Sequence, residues 1–215
     1  MSLLEIVQFS QRFFVLPVLM VFVVIGFSVF FRKFYSKPAK ELNHKLLQLI
    51  NDIEALDDNS KVNKNLLDDS FADHKPLKQA WDSYKKTFHD IYETVDGEDK
   101  VVDSLTTVSS EAFFTESVIV DIPLEVDFYK HLPGIITGVG IIATFIGLLF
   151  GLLAFDPGGN PEKVQDSLAL LLTGVAEAFM ASGLAIGAAM IITWREKSWL
   201  RRCYAQLQRL NTAID

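Results

Sequence analysis

Three long apolar runs punctuate an otherwise polar chain, at 13–31, 132–155 and 168–194. Each approaches or exceeds the roughly 20 apolar residues that carry a helix across the hydrocarbon core. The pattern predicts an all-α, polytopic membrane protein with three transmembrane helices. The first run is too long and too Phe-rich for a cleaved secretion signal, and Arg32 and Lys33 stand where a small-residue cleavage site would be needed, so a retained anchor is expected. Ahead of it, residues 1–12 mix Leu3, Leu4, Ile6, Val7 and Phe9 with Glu5, Gln8, Gln11 and Arg12. That segment reads either as an amphipathic helix on the outer interface or as a frayed terminus.

Between the first two runs, 32–131 reads as a helical cytoplasmic region. Leu42, Leu46, Leu49, Ile50 and Ile53 recur at helical spacing. After Pro76, a residue tolerated in a first turn, Leu77, Trp81, Tyr84, Phe88, Ile91, Tyr92 and Val95 continue a second face. The stretch between these helices, with Asp57, Asp58, Asn59, Asp68 and Asp69, reads as a polar turn, and Asp96 with Gly97 as a second break. Val118, Ile119 and Val120 suit a strand or a buried helix; the expectation is a ramp into the second run, with Pro123 resetting direction and a short amphipathic helix from Leu124 to Leu132. At 195–215 an apolar stripe of Trp199, Cys203, Leu207, Leu210 and Ile214 is still running at Asp215, as expected of the start of a longer tail helix or of a short relative.

Positive charge orients the spans, because Lys and Arg in short flanks stay on the cytoplasmic side. Arg32, Lys33, Lys37 and Lys40 follow the first span, and Arg195, Lys197, Arg201 and Arg202 the third. The connection 156–167 has a single Lys and is rich in Pro and Gly, so it is expected outside as a tight turn, with the N-terminus out and the C-terminus in. The net charge of −7 is concentrated in the cytoplasmic region, where Glu41 to His131 holds twenty of the 27 acidic residues. An acidic surface of this kind argues against a nucleic-acid partner.

No catalytic or cofactor-binding pattern emerges, so an enzyme is not expected. Cys203 is the single cysteine and lies on the reducing side. His44, His74, His89 and His131 are scattered and read as solvated surface groups rather than metal ligands. The stretch DGEDKVVD, Asp96 to Asp103, lacks the glycine and glutamate positions of a calcium loop and reads as a solvated turn. A phosphate-binding glycine loop is also missing, so energy for any work is expected from ions or from another subunit.

The chemistry that remains is inside the membrane. Glu177 is the one charged side chain between Ser167 and Trp194. A carboxylate at that depth costs on the order of 3 kcal/mol on insertion scales, which points to a role: proton carrier, hydrogen-bond anchor for a neighbouring helix, or contact with outside water. Small residues surround it, including Gly174, Ala178, Ala181, Ser182, Gly183, Ala185 and Ala189. On the second span Gly140, Thr144, Gly147 and Gly151 step by four, three and four, and so share one face suited to close helix packing. Counted from Pro133 and Trp194, Thr144 and Ser182 both lie roughly 17 Å from the inner surface at 1.5 Å per residue. Two hydroxyls at one depth suit a relay, although Thr144 bonded to its own backbone would be ordinary packing.

The run GVAEAFMASGLAIGAAM, Gly174 to Met190, resembles the last transmembrane helix of the MotA/TolQ/ExbB proton-channel family, and GIIATFIGL, Gly140 to Leu148, its preceding helix, with Ala143 where the family usually has Gly. The resemblance covers spans two and three; Glu177 falls on the family's glutamate, and Thr144 and Ser182 on its pore-facing hydroxyls. Within the family, HLPGIITGVGIIATFIGLLFGL looks most like the ZorA-type motor subunits of Zorya anti-phage systems. That resemblance implies a homopentamer in a bacterial inner membrane, enclosing two copies of a ZorB/MotB-like single-span, peptidoglycan-binding partner whose aspartate carries the ion. The transported ion would be H+, with Na+ the alternative. Two further readings stay open: a TolQ/ExbB-like envelope energy transducer, and a non-conducting membrane scaffold that oligomerises through its glycine faces.

Overall fold

The computed structural model describes residues 15–57, 64–95, 98–158 and 160–215; the outer segment 1–12 lies outside them. Three helices are long and apolar enough to cross a membrane, Val15–Ala55, Val126–Leu153 and Pro161–Ile214. This is an all-α, multi-pass membrane protein to which one small hairpin is added.

Helix α1 (Val15–Phe31) runs into a π-helical turn, Arg32–Ser36, and then into α2 (Lys37–Asp57). Pro38 accounts for the wider turn. It has no N–H for the carbonyl one turn back and its ring crowds that carbonyl, so the helix accommodates it by widening just upstream.

Two short helices follow, α3 (Lys64–Ala72) and α4 (Lys75–Lys85). Helix α3 occupies part of what reads in sequence as a polar turn. Its Asp68 accepts from Trp81 Nε1 at 2.6 Å and from Lys85 Nζ at 2.5 Å, so a residue that looks like turn chemistry is an anchor for α4. The expected helical face through Val95 is also corrected. Helix α4 stops at Lys85, and β1 (His89–Val95) pairs antiparallel with β2 (Glu98–Leu105), Val95 opposite Glu98. The intervening dipeptide is Asp-Gly, the strong signal for a two-residue hairpin loop, and both flanks are rich in β-branched residues. Most of the acidic stretch read as a solvated turn is therefore strand.

Beyond the hairpin, Ser117–Asp121 forms a second π-helical turn that buries Ile119 and Val120, resolving the ambiguous run as helix. The amphipathic helix expected from Leu124 to Leu132 is reduced to α5 (Val126–Tyr129). Helix α6 spans Leu132–Leu153, and α7 runs unbroken over Pro161–Ile214. The connection between the last two long helices is thus shorter than 156–167, because Pro161 begins α7, the first-turn position where its missing N–H costs nothing.

The chain divides into two compact units. The first comprises Met1–Ser36 and Asp127–Lys197. Its apolar exterior, with Phe22, Phe145 and Trp194 all more than two-thirds exposed, is what a lipid-facing or subunit-facing surface requires. Tyr35 and Tyr129 (ring centroids 4.9 Å apart), with Phe31 stacked on Tyr35, form an aromatic cluster within it.

The second unit comprises Lys37–Val126 and Ser198–Asp215 and has a conventional apolar core. Leu42, Leu46, Leu49 and Ile50 of α2, Phe71, Leu77, Trp81 and Tyr84, and Cys203, Leu207 and Leu210 of α7 are all buried. Burial pushes the Cys203 thiol up to about 11, so it stays protonated and acts as a small apolar residue. The C-terminal turn is pinned by polar contacts. Asp215 accepts from Ser109 Oγ and from the Ser110 N–H, both at 2.8 Å, and Asn211 Nδ2 donates to the Phe114 carbonyl at 3.2 Å. Three of the four histidines, His44, His89 and His131, are exposed, whereas His74 is half-buried and its imidazole is held below the ordinary range by burial, then by Lys45.

Candidate functional site

Helices α6 and α7 meet along their small residues, and the glycines set the register. A Cβ on Gly140 would stand 2.5 Å from that of Ala185, and one on Gly147 would stand 2.7 Å from that of Ala178. Toward the α6–α7 connection, a Cβ on Gly174 would meet Gly151 Cα at 3.1 Å and the Gly147 carbonyl at 3.3 Å. All six small residues read as a packing face, Gly140, Gly147, Gly151, Gly174, Ala178 and Ala185, lie in this contact. Without a hydrophobic drive between helices in lipid, such close backbone approach is itself the cohesive force.

The register places Thr144 level with the turn between Ala178 and Ser182. Thr144 Oγ1 donates to the Gly140 carbonyl at 3.0 Å and reaches the Ala178 carbonyl of the facing helix at 3.5 Å. Ser182 Oγ donates to the Phe179 carbonyl at 3.0 Å. The two hydroxyls share a depth, but each is tethered to its own helix rather than to the other. Each oxygen retains acceptor capacity in this arrangement.

Glu177 sits differently. It is 1 % exposed, and its Oε1 has no hydrogen-bond partner among the described residues. The two hydroxyls are only partly buried, whereas the carboxylate points into the protomer. Thr144 reaches the Ala178 carbonyl and Ser182 lies against Gly140, one turn before Thr144, while Glu177, five residues before Ser182, is buried.

A second buried carboxylate escapes sequence reasoning. Glu196, at the basic end of the third span, is 1 % exposed; Lys197 Nζ lies 3.3 Å from its Oε1, and Tyr35 donates to its backbone carbonyl at 3.4 Å. In sequence it hides among Arg195, Lys197, Arg201 and Arg202 and reads as part of a solvated flank. Its place four residues after the buried Ile192, on the interior stripe of the helix, is the signal that could have found it. Among the described residues no group of three His, Cys, Asp or Glu side chains could hold a metal ion.

A glycine-sealed pair of long helices carrying two level hydroxyls and an interior carboxylate defines the class: a multi-pass helical membrane protein with polar groups set inside its spans. The particular family follows from comparison with known proteins. The family described as "Anti-phage protein ZorA, Zorya type I system" matches residues 1–215, and the chain belongs to this ZorA-like family. It is 41 % identical over 182 residues to the Zorya protein ZorA of Escherichia coli O139:H28 (strain E24377A / ETEC). That alignment covers 85 % of this chain and 25 % of the relative, so the chain spans about a quarter of the relative's length.

Proposed function

We propose that this chain is the ring subunit of an ion-driven rotary motor serving anti-phage defence. Five copies would surround two copies of a single-span, peptidoglycan-anchored partner, with the N-terminus periplasmic and the C-terminus cytoplasmic in a bacterial inner membrane. The observation that carries this reading is the level placement of Thr144 and Ser182 on a helix pair sealed by glycine, in a chain of the ZorA-like family.

The partner's transmembrane aspartate would carry the proton. Protonated from outside, it is neutral and passes an apolar wall; deprotonated, it seeks hydroxyls and water, which Thr144 and Ser182 supply halfway down the wall. Five subunits around two partners have mismatched symmetry, so the steps are sequential and ion flow becomes rotation. Glu177, buried with its Oε1 unpartnered among the described residues, is left as either a proton carrier or a group held for a partner. A scaffold without conduction draws support from the same tethered hydroxyls, since Thr144 bonded to Gly140 is also ordinary packing.

Thr144→Val separates the two readings. It keeps the side-chain shape and the helix contact while removing the hydroxyl. The motor reading expects proton flux in proteoliposomes, and protection of cells against phage, to fall to background while the complex still assembles. A variant that protects cells like the wild type, with no proton flux from either, would leave the scaffold.

A further inference from the structure

An open groove of about 550 Å³ runs between the start of α6 and the part of α7 from Ile186 to Lys197. Its volume falls within the range of small-molecule sites, about 300–1,000 Å³. Eleven residues separate Ile186 from Lys197, so the groove follows the helix for roughly 16 Å, about half a hydrocarbon core. Its walls are Pro133, Gly134, Ala189 and Met190 with Trp194. The two threonines that line it are turned apolar: Thr137 donates to the Pro133 carbonyl and Thr193 to the Ala189 carbonyl, both at 2.9 Å, which spends their hydrogens on their own helices. A Cβ added to Gly134 would meet nothing within 4 Å, so this wall is open space and not a packed joint.

The groove has one charged end. Lys197 is the one ionisable residue among the described residues that line it, and its side chain remains 57 % exposed while one N–H leans on Glu196. An ammonium has three donors, so others remain for an anion. Arg195, Arg201 and Arg202 give this end of the third span a surplus of positive charge. Trp194, 72 % exposed beside Lys197, is the side chain that settles at a headgroup boundary.

We infer that this groove binds an anionic phospholipid of the leaflet at the basic end of the spans. An acyl chain lies along Gly134, Ile186 and Met190, and the phosphate sits on Lys197. An apolar trough a half-bilayer long, ending in a cation and a tryptophan, matches the order of parts in such a lipid. A zwitterionic lipid would fill the trough but gain less from the ammonium. The inference needs only that these helices span a bilayer, and does not rest on the motor reading.

The test is lipid retention. The protein is reconstituted in nanodiscs of equimolar palmitoyl-oleoyl phosphatidylglycerol and palmitoyl-oleoyl phosphatidylcholine, transferred to detergent, and its retained lipids are counted by native mass spectrometry. One surface cation is worth about fivefold in preference for the anionic lipid. The wild type is expected to retain phosphatidylglycerol over phosphatidylcholine by about that factor, Lys197→Gln to retain the two equally, and Met190→Trp, which fills the trough, to retain neither. Equal retention by the wild type, or an undiminished preference in Lys197→Gln, overturns the inference. So does a disulfide between Gly134→Cys and Met190→Cys on neighbouring subunits, because a second copy would then occupy the groove.

Discussion

The two units of this chain hold their helices together with opposite kinds of side chain. In the membrane unit, Gly140, Gly147 and Gly151 of α6 meet Ala185, Ala178 and Gly174 of α7, where there is almost no side chain to pack. In the second unit the contacts are large rings and branched chains: Phe71 stacks on Trp81 at 4.8 Å with an interplanar angle of 9°, and Tyr84, Phe114 and Leu77 close around them. Water explains the difference. Where water is present, burying apolar area drives association and bulky residues contribute most. In lipid that drive is absent, so α6 and α7 cohere through close backbone approach, and large residues such as Phe22 and Phe145 stay exposed on the unit's exterior.

That contrast can be broken most strongly at Gly147. Gly147→Leu would force a side chain into a space where even a Cβ comes within 2.7 Å of Ala178, so the spans must separate. We expect loss of the assembled complex on size-exclusion chromatography, whereas the same substitution at Gly138, where nothing lies within 4 Å, leaves the subunit fold intact. In the second unit the opposite change is damaging. Trp81→Ala removes a nearly buried ring and strips Asp68 of one of its two donors, and should cost about 3–5 kcal/mol of that unit's stability, read from chemical denaturation. An equal effect of Trp81→Ala on the membrane helices would erase the distinction.

A smaller effect is tied to pH. The Tyr84 phenol is pushed up to about 12, first by burial and then by the charge and hydrogen bond of Asp215. Folded chains keep that proton between about pH 10 and 12 while unfolded chains release it, so stability falls as pH rises through this window. Alkaline melts of the second unit should show the loss, and Tyr84→Phe should reduce it. Asp215 runs the other way. Burial raises its carboxyl, but the Ser110 N–H, Ser109, Ser110 and Tyr84 bonds outweigh burial and hold it below the ordinary value, so its contribution is present at neutral pH and fades only in acid.

How much of this was legible in sequence follows the same divide. The spans were legible because lipid imposes a length and a composition, and the packing face on α6 because glycines at four, three and four are rare by chance. The hairpin was not, since Phe88, Ile91, Tyr92 and Val95 fit a helical period as well as a strand, and the Asp-Gly that decides the matter read only as a break. Helix α3 escaped for a similar reason: its acidic residues look like a turn until Asp68 is seen holding Trp81 and Lys85. The candidate site divided likewise. Depth could be counted along two helices, which is why Thr144 and Ser182 were singled out as a pair. Which way a side chain faces is harder to read: the burial of Glu177 had no spacing signal, and that of Glu196 had only its place four residues after Ile192, which its basic neighbours masked.

The central claim is a ring of this subunit around a single-span, aspartate-bearing partner. Native mass spectrometry of the chain purified with the product of the neighbouring gene measures it most directly. The account predicts five copies of this chain with two of the partner. A homo-oligomer without such a partner, or any other ratio, would contradict it and leave a scaffold or a simple channel.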